Sequence, residues 1–229
     1  MSKIKIKIFK MIYGDKSPIT ARRRRYHKVQ RKKLENFDFS ILANDCIGTF
    51  IYHDLGLRFL SPTINLYFGT YEDYLEYLEN LEYYASAELF QIESDKDFPV
   101  GRLVRGDRSI TVNFMHYNTF EQAKEKWTER GKRLDYDNLM VLFNCPEQDK
   151  CSDALISRFF ELLFNNKYLV TENRVCCDNK PVVRFKVFDK NYYSGKLFKY
   201  KSPVSSKRHL DDWDYVRVIN RMDNTRRTK

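Results

Sequence analysis

Three stretches of the chain carry side chains whose types and spacing could do chemistry. The first is Asn44-Asp45-Cys46-Ile47-Gly48, which follows the apolar run Phe39 to Ala43. The amides beyond Asp45 are expected at the start of a helix, where backbone N–H groups and the helix dipole attract anions. Asn44 or Asp45 could orient a substrate hydroxyl, although the same residue types serve as plain helix caps. The second stretch is Asn113-Phe114-Met115-His116-Tyr117. Strand alternation puts Asn113 and Met115 on one face and Phe114 and His116 on the other. A histidine at the carboxyl end of a strand can act as a general base at neutral pH; a half-buried histidine donating to a carbonyl is the plainer alternative. The third is a basic stripe of Lys126, Arg130 and Arg133, brought to one helix face by spacings of four and three. It could grip phosphate or pyrophosphate, with arginine binding bidentately, or pair with acids such as Glu129 and Asp137.

Weaker signals surround these. Cys46 at a helix start could be an activated thiol, though a buried structural cysteine is the simpler reading. His53-Asp54 are neighbours on a helix and point apart. Asp135-Tyr136-Asp137 has the D-x-D spacing of metal-dependent sugar-nucleotide transferases, but stands where a helix ends and a turn is expected. Neither glycine-rich phosphate loop and no G-x-S-x-G element occurs. The residues therefore identify no cofactor. The five cysteines, Cys46, Cys145, Cys151, Cys176 and Cys177, lack zinc-site spacing, so no metal is expected. With an odd count, they are expected to be reduced thiols of a cytoplasmic protein.

The elements that must position these residues alternate between strand and helix. Strands are expected near 37–43, 64–68, 100–104, 109–116, 139–143, 167–171 and 182–187. Helices are expected from Cys46 to about Tyr52, from Thr70 with its near capping box to Asp73, from Thr119 with Gln122, and from Ser152. Alternation of this kind implies an α/β fold, a three-layer α/β/α Rossmann-like sandwich with a largely parallel sheet. Ligands of such sheets sit beyond the carboxyl ends of the strands.

Charge divides the chain. Residues 1–36 hold 13 lysines and arginines against two acids; residues 37–189 hold 17 against 25; residues 190–229 hold 11 against four. The expected organisation is a basic, helical N-terminal arm (1–36), an α/β domain (37–190) and a basic C-terminal extension (191–229). Because the basic character lies at the ends, nucleic acid is not the expected partner. The arm, with Arg22 to Arg25 in sequence, suits an anionic membrane surface, and no run reaches the about 18 apolar residues of a membrane span. The expected location is cytoplasmic, with the arm suited to the inner face of the plasma membrane.

The order Phe39 to Gly48, Tyr52-His53, Ser61-Pro62-Thr63-Ile64-Asn65-Leu66, Phe98-Pro99-Val100-Gly101, Val112 to Tyr117, Ala123-x-x-Lys126-Trp127-x-x-Arg130 and Asp137-Asn138-Leu139 resembles the bacterial "exopolysaccharide biosynthesis protein" family, the domain of unknown function nineteen-nineteen. The resemblance covers about residues 37–190, with the basic ends outside it. It implies a Rossmann-like fold and a role in making surface polysaccharide. Asn44, Asp45, Cys46, His53, Asn113, His116, Lys126, Arg130 and Asn138 match its motif positions, although Asp45 stands where asparagine is expected and Thr49 where glycine is. The resemblance implies no settled reaction; the expected activity is a transferase, a glycosyltransferase or else a sugar acyltransferase. Asp45 or His116 would be the base, and the other matched residues would hold a sugar-nucleotide or lipid-linked glycan precursor. The alternative is a glycan-binding assembly factor without catalysis.

Overall fold

The computed structural model describes residues 17–146, 151–171, 180–185 and 194–222. It is a mixed α/β structure built on two four-stranded sheets. The first is parallel, with β1 (Ser40–Ala43), β6 (Leu139–Asn144), β7 (Asn166–Thr171) and β8 (Val182–Arg184) side by side in that order. The second is antiparallel, ordered β2 (Tyr67–Phe68), β5 (Arg108–Asn113), β4 (Val100–Arg105) and β3 (Leu89–Ile92). The expected single, largely parallel sheet is therefore corrected. Gly106 (φ 61°) and Asp107 make a tight turn that pairs β4 with β5 as a hairpin, and half of the strands never join the parallel set.

Helices follow their caps. Ser17 accepts from the Thr20 amide and Pro18 opens α1 (Pro18–Lys33). Thr70 and Asp73 form a full capping box on α3 (Tyr71–Glu79); Asn80 breaks that helix from α4 (Leu81–Ser86). Thr119 caps α5 (Phe120–Gly131) and Ser152 caps α6 (Asp153–Glu161). Gly56, at φ 61°, ends α2 (Ile47–Leu55). The last helix is α7 (Tyr215–Asn220).

Two apolar clusters use alternate residues of the same strands. Leu42, Val141, Phe143 and Leu169 face α3, α5, α6 and the antiparallel sheet. Ile41, Ala43, Met140, Leu142 and Val170 face α2, α7 and the segment around Leu197, Leu210 and Trp213. β1 lies at the sheet edge, and side chains complete its free amides. The Ile41 N–H donates to the Tyr52 hydroxyl, which donates to the Phe39 carbonyl; the Ala43 N–H donates to Thr63 Oγ1. A buried edge strand needs such partners.

The basic arm is not a separate arm over its described part. Ile19 and Arg23 of α1 are buried against the domain. Arg23 reaches both Asp54 of α2 (2.5 Å) and Asp211, and Arg208 also reaches Asp54 at 3.1 Å. The two basic ends thus meet over one carboxylate. The guanidinium of Arg23 is held above its ordinary range by hydrogen bonding to Asp211 and by the two carboxylates, against burial, which lowers it. Residues 1–16 and 223–229 lie outside the described residues, as do the expected strand beyond Phe185 and Cys176 and Cys177.

Candidate functional site

The carboxyl end of β1 is a buried polar clasp. The Asn144 amide N–H donates to Asn44 Oδ1 (2.7 Å), and Asn44 Nδ2 donates to the Asn144 carbonyl (2.8 Å). Asn44 thus extends the β1–β6 ladder with its side chain. Asp45 accepts from the Ile47 N–H (3.0 Å) through one oxygen and from Asn144 Nδ2 (2.6 Å) through the other. Asn144 was not singled out in the sequence; its only signal was its place at the end of a buried strand. The anion expected at the start of α2 is already present as the carboxylate of Asp45. With both oxygens engaged and the side chain buried, Asp45 is placed as a cap and clasp.

Cys46 is also structural. Its thiol lies 3.7 Å from the Leu66 carbonyl, and burial, reinforced by Asp45, pushes it up to about 12. A thiol so raised is a poor nucleophile at neutral pH. Cys145 and Cys151 are joined in a disulfide, their Cα atoms 6.0 Å apart. This corrects the expectation of reduced thiols for that pair, whose Cα separation lies in the usual disulfide range. Thiol usage consequently no longer argues for a reducing compartment. No helix among the described residues is long and apolar enough to cross a membrane, and they hold no group of three potential metal ligands.

Two other expected site residues lie elsewhere. Asn138 exchanges hydrogen bonds with Asn36 (3.0 and 3.1 Å) at the start of β6. The six-residue strand separates it from the clasp by roughly 20 Å at the usual strand rise. His53 is exposed on the last turn of α2, at the end opposite Asp45. The register that sequence alone could not supply sets both residues apart from the clasp.

Asn113, by contrast, is drawn to the clasp. The Phe68 N–H donates to the Asn44 carbonyl and the Cys46 thiol faces the Leu66 carbonyl, so β2 lies against the clasp. Tyr67 in turn pairs with Asn113. Asn113 is fully buried, its Oδ1 2.5 Å from Lys96 Nζ, while its Nδ2 has no partner. Lys96, missed in the sequence, comes from an exposed loop without a motif.

The neighbouring segments 64–67 and 113–117 meet again further along. The Tyr117 hydroxyl donates to the Ile64 carbonyl (3.0 Å) and accepts from Arg130 Nη1 (2.6 Å). Arg130 is buried, with its guanidinium 5.0 Å from the Phe59 ring centre. It forms no ion pair with a carboxylate among the described residues. Lys126, in contrast, is neutralised by Glu125 (3.2 Å) and Glu129 (2.8 Å), and Arg133 is held by Glu129. The basic stripe therefore separates into two cations paired with acids and one buried cation without a counter-charge among the described residues. His116 stands beside Tyr117 in an exposed turn after β5, without a hydrogen bond among the described residues. Its strand is antiparallel, so the rule for parallel strand ends does not apply to it. It is not paired with Asp45.

Fold and site together define an α/β protein with a buried guanidinium that meets no carboxylate among the described residues. The sequence places it in a family: residues 19–220 match the model described as "Domain of unknown function (DUF1919)", and the chain belongs to that family. The match begins inside α1 and ends in α7, so the basic helix and the C-terminal segment belong to the family domain instead of lying outside it. A Haemophilus influenzae (strain ATCC 51907 / DSM 11121 / KW20 / Rd) protein described as "Uncharacterized protein" is 32% identical over 212 residues, covering 90% of this chain and 96% of the relative.

Proposed function

We propose that this protein serves surface-polysaccharide synthesis by binding a phosphorylated glycan precursor, a sugar nucleotide or a lipid-linked intermediate, with Arg130 on its phosphate. In this reading the parallel sheet, with apolar clusters on both faces, is the core of a Rossmann-like three-layer arrangement. Arg130 carries the proposal. A buried guanidinium without a carboxylate costs several kcal/mol in desolvation, which an anion in a bidentate pair offsets. Tyr117 and Phe59 fix its direction without neutralising it. The binding reading takes precedence over catalysis because Asn44 and Asp45 are buried in structural contacts.

A transfer reaction is the second reading, favoured by the exposed His116 next to Tyr117 in the chain. The imidazole would take the proton of an acceptor hydroxyl; the oxygen would attack the anomeric carbon and expel the phosphate held at Arg130. The exposed face of α1, with Arg22, Arg24 and Arg25, suits an anionic membrane that presents the lipid-linked form. Arg23 is excluded from that face by burial.

Calorimetric titration with inorganic pyrophosphate and with a uridine diphosphate sugar tests the proposal. Binding by the native chain, lost at least tenfold in Arg130→Gln and kept in Lys126→Ala, is the expected result. Equal binding by native and Arg130→Gln proteins rejects it. If His116→Ala keeps binding but stops release of uridine diphosphate, the transfer reading gains; release unaffected by His116→Ala removes it.

A further inference from the structure

Lys96 covers an amide that it can only half satisfy. Its ammonium donates to Asn113 Oδ1 at 2.5 Å and to the Tyr67 hydroxyl at 3.4 Å. It also lies 5.4 Å from the Tyr67 ring centre and 5.7 Å from that of Phe98. An ammonium has three donors and no acceptor. Asn113 Nδ2, buried beside it, therefore stays without a partner, and an unsatisfied buried donor is costly. A hydroxyl both donates and accepts, so a hydroxyl in the place of the ammonium would satisfy both atoms of the amide. The two rings, 6.2 Å apart and nearly perpendicular, offer apolar faces to the C–H side of a sugar. Lys96 and Phe98 also line an open cavity of about 740 Å³, whose walls carry Glu93, Asp95, Asp97 and Glu121. Those carboxylates can hydrogen-bond hydroxyl groups and repel anions.

We propose that Asn113, Tyr67 and Phe98 form a carbohydrate subsite for a neutral hexose-containing saccharide, with Lys96 as a removable cover that the sugar displaces. Lys96 sits on an exposed loop, so its side chain can swing out to the cavity's carboxylates. The inference deepens the glycan-precursor reading: the subsite lies along the segments 64–67 and 113–117 that also lead to Tyr117 and Arg130. From Tyr67 to Ile64 the chain spans at most about 10 Å at full extension, a length suited to one sugar and its phosphate.

The test uses the full chain on an array of unphosphorylated oligosaccharides, neutral and uronate-containing, with affinities of hits measured by calorimetry. Neutral saccharides should bind and uronates should not. Phe98→Ala should weaken binding about tenfold, since an aromatic face is lost. Lys96→Ala should tighten it roughly fivefold, because a weak cation–π and hydrogen-bonded cover no longer competes. A purely structural lysine would not give that increase. The array carries no phosphate and the pyrophosphate titration carries no sugar, so this result and the pyrophosphate result can fail independently. No neutral saccharide bound, or affinity indifferent to Phe98→Ala and Lys96→Ala, overturns the subsite. Native-like circular dichroism of each variant keeps the comparison valid.

Discussion

Replacing Arg23 by alanine should separate a structural basic helix from a membrane arm. The Arg23 side chain is 5% exposed and its partners Asp54 and Asp211 are 1% and 0% exposed. Removing it leaves Asp54 with Arg208 at 3.1 Å, but takes from Asp211 the only cation it meets in an ion pair among the described residues. Breaking one side of a buried pair costs about 3–5 kcal/mol, a large share of the about 5–15 kcal/mol that holds a domain folded. Neighbouring Arg22 and Arg25 are exposed, and alanine there should change stability by no more than about 0.5 kcal/mol. Urea denaturation followed by tryptophan fluorescence reads the difference through the midpoint at unchanged slope. Arg23→Ala indistinguishable from Arg22→Ala would refute the buried network and return α1 to the status of a free arm.

Three further outcomes follow from the same geometry. Burial, with Arg23 and Arg208 nearby, pushes His27 down to about 4 although Asp54 lies 3.1 Å away; Asp54 is already shared by two arginines. The folded state thus refuses a proton that the unfolded chain accepts below about 6.5, so this contribution is full above that pH and is lost as pH falls towards 4. It amounts to up to about 3 kcal/mol, and His27→Gln should flatten the stability profile between pH 6.5 and 4 relative to the native chain; an unchanged slope refutes it. Tyr52→Phe should lower stability by about 1–3 kcal/mol in thermal or urea melts, because the Ile41 N–H and the Phe39 carbonyl lose their shared hydroxyl; a neutral substitution would contradict the edge argument. Replacing Arg22, Arg24 and Arg25 together by alanine should release the protein from phosphatidylglycerol vesicles at low salt while circular dichroism stays native, and retained cosedimentation would exclude that face.

Local signals were legible because they act over three or four residues. Thr70 with Asp73, Thr119 with Gln122, Ser152 and Gly56 end or begin helices where the sequence places them. The partition of strands was not legible. Residues 100–113 read as strands in either sheet, and only the turn at Gly106 commits them to an antiparallel hairpin. Charge was legible as quantity and misleading as topology: α1 looks solvated because Arg23 sits among four arginines, yet its periodicity turns that one inward onto Asp54 and Asp211. Asn44, Asp45 and Asn113 stand out in the sequence because polar residues at strand ends are conspicuous, and the structure gathers Asn44 and Asp45 in one clasp. Asn138 and His53 carry the same types but lie at the far ends of β6 and α2. Lys96 and Asn144 have no motif, and only cross-strand pairing brings them to Asn113 and Asp45.

The central claim is that Arg130 awaits the phosphate of a glycan precursor. A crystal structure of the full chain soaked with inorganic pyrophosphate, read against the same soak of Arg130→Gln, tests it most directly. The account predicts phosphate oxygens in hydrogen-bonding contact with the Arg130 guanidinium in the native chain, beside an undisturbed Tyr117–Ile64 contact, and no such density in the variant. Pyrophosphate bound elsewhere, or bound alike in the variant, would contradict it.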